Sequence, residues 1–370
     1  MKVAIIGTRG VPARYGGFET AVEEIGAGLA AIGHMVVVYC RRSGGGRFYR
    51  GMRRVVLPSI HRRALETVSH AGLSTIHALL HRPDVALVLN AANAPYVAVL
   101  RAAGVPTVLH LDGHDAHRAK WRGIGSRYYS VATRVGVRVA ERVVVDSKTV
   151  QLELGLAHDP KVVFIPYGAD QTSASVRVID ERLSSMDLRR GGYHLVVARF
   201  EPENHVAEIV EGYSSSTARM PLVVVGFQAY PGEYGWRIKQ AIRGDRRVSL
   251  VGPVWDQDLL DAMYAGAMSY LHGHSVGGTN PSLLRAMVHA TPVIAFDCPY
   301  NRETTGGSAL WFDSPAQIAA AIDRVEADPR SQDDQVARAR ERVSREYVWA
   351  DVVSSYDALL RDVSRKHRYG

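Results

Sequence analysis

The 370-residue sequence is poor in cysteine, and its two cysteines, Cys40 and Cys298, lie far apart in the chain. Two isolated thiols provide neither a disulfide framework nor the paired ligand spacing of a structural zinc site. Small disulfide-held extracellular domains are therefore excluded as a class. A reducing, cytoplasmic setting is what we expect.

Long apolar runs are missing as well. The best candidate for a membrane span, residues 85–100, is interrupted by Asn90, Asn93 and Pro95, whereas a spanning helix needs about 20 consecutive apolar residues. The run Met1–Gly7 is too short for the apolar region of a secretory signal and is typical of a first β-strand.

Acidic residues are absent from residues 41–65, although the chain as a whole carries a net charge of +8. One interpretation is a solvated loop. The other is a surface that meets anionic lipid headgroups, where each basic residue contributes about 1 kcal/mol. A nucleic-acid partner is not expected, because no aromatic residues are interleaved and no binding motif is found. The basic residues of this stretch are Arg41, Arg42, Arg47, Arg50, Arg53, Arg54, Arg62 and Arg63.

Short Val/Ile/Leu runs alternate with helical patterns along the whole chain, which predicts an α/β protein with parallel sheets. A polar stretch at 170–190 interrupts the alternation and predicts a linker. We therefore expect two doubly wound domains, 1–175 and 190–346, and a terminal helix at 347–365 within a final segment, 347–370. The predicted strands are 3–6, 35–39, 85–89, 107–109, 142–145, 162–165, 193–198, 222–225, 248–250, 268–271 and 293–296.

The loop after the first predicted strand is rich in glycine. Gly16 and Gly17 directly precede a helix predicted at 18–31, and free N–H groups at a helix N-terminus favour a diphosphate. The spacing is not G-x-G-x-x-G, so a nicotinamide cofactor is not supported. Glu19 lies in the first turn of that helix.

A second candidate site follows the predicted strand 268–271. Pro281 suits a first helical turn, and Thr279 or Asn280 is a natural N-cap. The amides of Ser282 and Leu283 would then face a ligand, with the helix dipole favouring a leaving diphosphate. Gly277 and Gly278 precede this helix. His272 and His274 have no acidic or cysteine neighbour, so no metal is expected.

Two further strand ends carry polar side chains. Asp112 and His114 follow the strand at 107–109, where a carboxylate and an imidazole can position sugar hydroxyls or transfer protons. Arg199 follows the strand at 193–198, and its guanidinium can clamp a phosphate. For each residue the competing interpretation is an ordinary hydrogen-bonded turn or a surface ion pair.

Taken together, these segments resemble the retaining nucleotide-sugar glycosyltransferases of family 4, within them the bacterial rhamnosyltransferase-type group. The matching segments are 5–20, 165–170, 199–204, 273–284 and 301–303, which occur in the family's order along nearly the whole chain. The resemblance implies a GT-B fold, in which two Rossmann-like domains face one cleft and a C-terminal helix crosses back to the first domain.

The resemblance also implies the chemistry. Sugar would move with retention from a nucleoside-diphosphate sugar to a glycan or lipid-linked acceptor, without a metal or other cofactor. Asp112, His114 and Arg199 would serve catalysis, and Glu19 and His274 would join Asp112 and His114 on the sugar and acceptor. Donor-binding positions would be Gly16, Gly17, Arg199, Asn204, Gly277, Gly278, Thr279, Asn280, Ser282, Leu283 and Arg285.

Three positions depart from the family pattern. Gly277 and Arg285 stand where the family has two glutamates, and Asn204 stands where it has a phosphate-binding lysine. A non-catalytic homologue that binds a nucleotide sugar or scaffolds a glycan-assembly complex is therefore the alternative. A 2-epimerase would need carboxylate acid/base pairs, which these positions do not supply.

Overall fold

The computed structural model describes residues 1–13, 17–41, 46–60, 65–111, 124–171, 175–228 and 232–369. The chain divides into two compact units. Unit 1 comprises 1–168, 276–278 and 349–370, and unit 2 comprises 169–275 and 279–348.

Unit 1 contains an eight-stranded sheet in the order β3-β4-β2-β1-β5-β6-β7-β8, parallel except for the antiparallel edge strand β3. Its central strands are buried along their whole length, as expected of a parallel sheet covered on both faces. The strands are β1 Lys2–Ile6, β2 Met35–Cys40, β3 Phe48–Tyr49, β4 Met52–Val56, β5 Val85–Leu89, β6 Thr107–Leu111, β7 Arg142–Val145 and β8 Val162–Phe164.

The helices of unit 1 form a layer on each face of this sheet. Helix α1 connects β1 to β2, which is a step toward the β3 edge of the sheet. Helices α2, α3 and α4 precede β5, β6 and β7, and each of these connections steps toward the β8 edge. Since parallel crossovers are right-handed, the two directions put α2, α3 and α4 together on the face opposite α1. The helices are α1 Gly17–Ala31, α2 Leu65–His81, α3 Ala94–Ala102, α4 Ile124–Val139 and α5 Lys148–Glu153.

Unit 2 contains a six-stranded parallel sheet in the order β11-β10-β9-β12-β13-β14. The strands are β9 His194–Val197, β10 Leu222–Val225, β11 Val248–Gly252, β12 Ser269–His272, β13 Val293–Phe296 and β14 Leu310–Phe312. The helices are α6 Val176–Ser184, α7 Val206–Ser215, α8 Glu233–Ile242, α9 Gln257–Gly266, α10 Pro281–Val288, α11 Pro299–Thr305, α12 Pro315–Ala327 and α13 Asp333–Glu346.

The last helix, α14 (Trp349–Tyr369), belongs to unit 1 and packs on α1. Its Tyr356 is buried, and its Asp357 lies 2.6 Å from Nε2 of His34, the residue just before β2. The terminal helix therefore has the docking surface in the first domain that its apolar spacing required.

The predicted α/β architecture is confirmed, and every predicted strand is present within one or two residues at each end. Three strands were not predicted. β3 and β4 fall in the arginine-rich stretch, where the charge pattern hid the alternation, and β14 is only three residues long. The polar stretch at 170–190 contains α6, whose Ile179 and Leu183 are buried in unit 2.

Across the described residues, none of the helices is long and apolar enough to cross a membrane.

Candidate active site

The loop after β1 lies tightly against the sheet of unit 1. Gly7 and Gly10 have φ angles of +102° and +111°, in the region that favours glycine. A β-carbon at Gly10 would lie 2.6 Å from Cys40, so the backbone needs glycine there. Gly17 is the first residue of α1, and Gly16 lies outside the described residues.

Two carboxylates of α1 hold this loop. Glu19 is buried and accepts a hydrogen bond from the backbone N–H of Arg9 at 3.4 Å. Glu23 accepts one from the N–H of Ala13 at 2.6 Å. The predicted contact of Glu19 with sugar stays a prediction, and the structure gives this residue a role in fixing the loop.

His110, at the carboxyl end of β6, is fully buried. It belongs to the same strand-end cluster as Asp112 and His114 but was not among the predicted site residues. Its Nδ1 shares a 2.9 Å hydrogen bond with the hydroxyl of Tyr356, and Phe18 packs edge-on at 5.4 Å. Burial lowers the pKa of His110 to about 3, so the imidazole is neutral at physiological pH. Its Nε2 finds no hydrogen-bond partner within the part of the chain that the structure describes. Asp112 and His114, which follow it, lie outside the described residues.

The arginine-rich stretch offers less free positive charge than the sequence predicts. Arg41 is 3.7 Å from Glu66 with its side chain 6% exposed, and Arg54 is buried against the carbonyl of Gly46 at 2.8 Å. Arg50 pairs with two glutamates of α1. Arg41, Arg50 and Arg54 are therefore engaged inside unit 1, whereas Arg47 is exposed and Arg53 is half-buried. Arg42, Arg62 and Arg63 lie outside the described residues.

In unit 2, Asn204 joins the loop after β9 to the loop after β12. Its Nδ2 donates to the carbonyl of Arg199 at 2.7 Å, and its Oδ1 accepts from Nδ1 of His274 at 2.6 Å. Asn204 is buried. An amide has both a donor and an acceptor, which is why it can make this bridge where a lysine could make only half of it.

The backbone around His274 is fixed from both sides. Asn301, at the start of α11, donates to the carbonyl of His274 at 2.8 Å. The N–H of Ser275 donates to the carbonyl of Glu203 at 2.9 Å. The imidazole of His274 is therefore held by its own Nδ1 and by its main chain, at the carboxyl end of the unit 2 sheet.

A chain of hydrogen bonds fixes the start of α10. Nδ1 of His272 donates to the hydroxyl of Tyr270 at 3.0 Å. The Tyr270 hydroxyl donates to Oγ of Ser282 at 2.9 Å, and the Ser282 hydroxyl donates to Oδ1 of Asn280 at 2.7 Å. Burial lowers the pKa of His272 to about 3. Asn280 is the N-cap as predicted, but the N–H groups of Ser282 and Leu283 both donate to Asn280. The amides expected to face a ligand are thus already paired.

Neither of the two glycines before α10 could be replaced by a larger residue without strain or a clash. Gly277 has a φ of +143°, and a β-carbon at Gly278 would lie 2.0 Å from Asp146 Oδ1. Both glycines and Asp146 belong to unit 1, whereas the buried Thr279 belongs to unit 2. A glutamate at position 277, as in the family pattern, would be strained in this conformation.

Arg285 is engaged within unit 2. Its Nε is 2.5 Å from Asp261 Oδ1, and its other two nitrogens donate to the side chain and carbonyl of Gln257 at 2.9 Å. His289 also contacts Asp261, at 2.8 Å. Burial raises the pKa of Asp261, but the His289 and Arg285 hydrogen bonds outweigh it and hold that pKa below its usual range.

Among the described residues, no group of three or more His, Cys, Asp or Glu side chains is placed to hold a metal ion. His272 and His274 have ring centroids 6.0 Å apart, and each is engaged separately. At its strand ends unit 2 provides the imidazoles of His272 and His274 and a capped helix, and unit 1 separately provides the imidazole of His110. Imidazoles and a helix N-terminus are groups that can bind an anion or a sugar hydroxyl.

Comparison with known families gives two matches that follow each other along the chain. Residues 16–168 match the glycosyl transferase 4-like domain. Residues 192–328 match the glycosyl transferases group 1 domain. The chain thus carries two glycosyltransferase domains, one in each unit, and the enzyme class expected from the sequence is confirmed.

The relatives are distant in sequence. The GtfA subunit of the UDP-N-acetylglucosamine–peptide N-acetylglucosaminyltransferase of Streptococcus parasanguinis is 22% identical over 245 residues, which covers 62% of this chain. The matched region covers 44% of that relative, which is less than half its length.

Solved structures match across nearly the whole chain. Sucrose-phosphate synthase from Thermosynechococcus elongatus has a TM-score of 0.82 at 18% identity, with 98% of each chain covered. HepE from Anabaena, in complex with UDP-glucose, has a TM-score of 0.80 at 15% identity, with 98% of this chain and 99% of HepE covered. WaaG, a glycosyltransferase involved in lipopolysaccharide biosynthesis, has a TM-score of 0.74 at 15% identity, with 97% of this chain and 99% of WaaG covered. These matches confirm the GT-B fold.

Proposed function

We propose that this chain, with its two glycosyltransferase domains, transfers a hexose or deoxyhexose from a nucleoside-diphosphate sugar to a glycan or lipid-linked acceptor. The observation that carries the proposal is the Arg199–Asn204–His274 bridge. It fixes the main chain at Arg199 and the imidazole of His274 at the carboxyl ends of β9 and β12, the edge at which open parallel sheets bind their ligands.

The donor diphosphate lies, in this proposal, near Arg199 and the start of α10. A guanidinium makes charge-assisted hydrogen bonds to phosphate oxygens. The N-terminus of α10 adds about half a positive charge by its dipole. Because the Ser282 and Leu283 amides are paired with Asn280, the helix acts through its field rather than through free N–H groups.

Each of the three departures from the family pattern has a structural counterpart in its own unit. Asn204 orients His274, whose Nε2 replaces the missing lysine as the second phosphate or sugar contact. Gly277 fits a backbone that a glutamate would strain. Arg285 stabilises the pairing of α9 with α10 and is not available for the donor in this proposal.

We propose that the reaction proceeds with retention and without a metal. The bond between the anomeric carbon and the donor phosphate breaks, the acceptor oxygen bonds to the anomeric carbon on the same face, and the departing phosphate oxygen takes the acceptor proton. Catalysis is then positioning and electrostatic stabilisation. Asp112, His114, Glu19 and the neutral His110 position sugar and acceptor hydroxyls in unit 1.

A rhamnose-type donor sugar and a role in cell-surface polysaccharide assembly, at the cytoplasmic face of the membrane, complete the proposal. They are supported by the likeness of segments 5–20 and 273–284 to the rhamnosyltransferase-type group.

The test is donor turnover with a panel of nucleotide sugars, measured as released nucleoside diphosphate, with the anomeric configuration of the product read by NMR. Arg199→Ala should weaken donor affinity more than about tenfold, since a charge-assisted contact is lost. Unchanged affinity would remove Arg199 from the site.

The engagement of Arg285 by Asp261 favours one second candidate, a non-catalytic homologue. Without a carboxylate at position 285, the nucleoside is held by fewer groups. Tight donor binding without release of nucleoside diphosphate, in the presence of acceptor extracts, would identify this alternative.

A further inference from the structure

Unit 1 exposes an aliphatic surface on α2 that is unusual for a helix covering a sheet. The exposed large side chains of α2 are Leu65, Leu73, Ile76 and Leu80, with Ile76 59% and Leu80 78% accessible. At 100° per residue these four positions fall on one arc of about 80°. The outward side of α2 is therefore an aliphatic stripe.

The buried side of α2 is the more polar side. Its buried residues are small or polar, and two hydroxyls, of Ser74 and Thr75, donate to carbonyls of the helix itself. An ordinary surface helix has the reverse distribution, with its apolar stripe toward the core. Burial within unit 1 therefore does not explain the leucines and the isoleucine that α2 presents outward. The buried residues are Thr67, His70, Ala71, Ser74, Thr75 and Ala78.

Helix α4 lies in the same layer and carries the charge. Its exposed residues are Arg127, Val131, Arg134, Val135 and Arg138, which fall on one arc of about 100° at 100° per residue. None of the three arginines forms an ion pair with a described residue. The arc mixes guanidinium groups with valines, a pattern typical of helices that lie in a membrane interface.

Carboxylates are nearly absent from this layer. Across α2, α3 and α4 the single acidic residue is Glu66, and it lies 3.6 Å from Arg9 and 3.7 Å from Arg41. A second copy of the chain docked on this face would bring arginines of two α4 helices together without acids to pair them. The charge complement of the face is therefore an anionic surface.

We propose that the outward face of α2 and α4 rests on the headgroup region of an anionic lipid bilayer. The aliphatic side chains enter the boundary between headgroups and acyl chains, and the α4 arginines contact lipid phosphates. This inference rests on the proposed function, since a lipid-linked acceptor lies at such a surface. It places the membrane contact on α2 and α4 rather than on Arg41, Arg50 and Arg54, which are engaged within unit 1.

The experiment is flotation of the full-length protein with vesicles of phosphatidylcholine alone and of phosphatidylcholine with phosphatidylglycerol. We expect recovery with the anionic vesicles only. Arg134→Gln/Arg138→Gln should lower the partition coefficient about thirtyfold, and added salt should reduce wild-type binding. Ile76→Ser/Leu80→Ser should lower it about tenfold or more, because exposed aliphatic area is lost.

Matched controls come from unit 2. Arg338→Gln/Arg340→Gln removes two exposed helical arginines, and Val176→Ser/Val178→Ser removes two exposed valines. Both controls should float like the wild type. All changed residues are exposed, so an unchanged melting temperature verifies the fold.

Equal flotation of the Arg134/Arg138 variant and the wild type would overturn the proposal. So would a failure of the wild type to bind anionic vesicles, or a dimer in light scattering that the Ile76/Leu80 variant abolishes while vesicle binding is unaffected. Vesicle binding requires no donor sugar, so its failure is separable from a failure of the proposed reaction, which the nucleotide-release assay reports.

Discussion

The guanidinium of Arg285 is bound on all three nitrogens by α9, through Asp261 and Gln257. We expect Arg285→Lys to lower the free energy of unfolding by about 1–2 kcal/mol, since a lysine cannot reproduce the planar fork. Nucleotide affinity should change less than twofold. The measurements are thermal melting and calorimetric titration with the donor. A large loss of affinity with unchanged stability would instead make Arg285 a donor ligand.

The bridge from Asn204 to His274 predicts energetic coupling. If Asn204 acts by orienting the imidazole, then Asn204→Ala and His274→Ala should each weaken donor binding about five- to twentyfold. The double variant should be little worse than either single variant, because residues in one hydrogen-bond network are not additive. Fully additive losses in titration calorimetry would mean that the two side chains contact the ligand independently.

At the scale of single elements, the capped start of α10 is the part of unit 2 that the proposal uses most. Asn280 caps α10 and Asp256 caps α9, each accepting from an N–H of its own helix. Replacing either by alanine should cost about 1 kcal/mol of stability. Asn280→Ala should also change donor affinity, because the N–H of Ser282 loses its acceptor on Asn280, whereas the matched Asp256→Ala should not. Equal donor affinity of both variants would remove the α10 terminus from the site.

Long apolar strands and the first helix were predictable because their periodicity is strong. The strands at 85–89, 142–145, 222–225 and 293–296 have the predicted bounds. β3 and β4 were not predictable, since β3 has only two residues and β4 contains the consecutive arginines Arg53 and Arg54, of which Arg54 is buried against the carbonyl of Gly46. The candidate site residues could be located because they follow strands. Their hydrogen-bond partners could not, because a pair such as Arg285 and Asp261 joins two helices whose residues are 24 positions apart in the sequence.

At the scale of the whole molecule, buried histidines make stability depend on pH. Burial lowers the pKa of His70 to about 4 and the pKa values of His110 and His272 to about 3. In the unfolded chain these groups bind protons below about pH 6.5, whereas in the folded chain they stay neutral. Stability is therefore full above that pH and decreases as the pH falls toward 3–4.

The corresponding measurement is the melting temperature between pH 7.5 and 5 for the wild type and His70→Gln. We expect the wild type to lose stability toward pH 5 and the variant to lose less, because one titrating group is gone. An identical pH dependence of the two proteins would contradict the assignment for His70. His70 is chosen because it lies on α2 and is not one of the residues proposed to contact the donor or the acceptor.

The central claim is that the molecule binds a nucleotide-sugar donor. The most direct measurement is a thermal-shift screen of the purified protein against nucleotide sugars and free nucleoside diphosphates. A ligand that binds only the folded state contributes about 2.7 kcal/mol at a hundredfold excess over its Kd. The account predicts a clear upward shift with one nucleotide sugar, smaller with its free diphosphate and reduced in Arg199→Ala. The absence of a shift with every donor would contradict it.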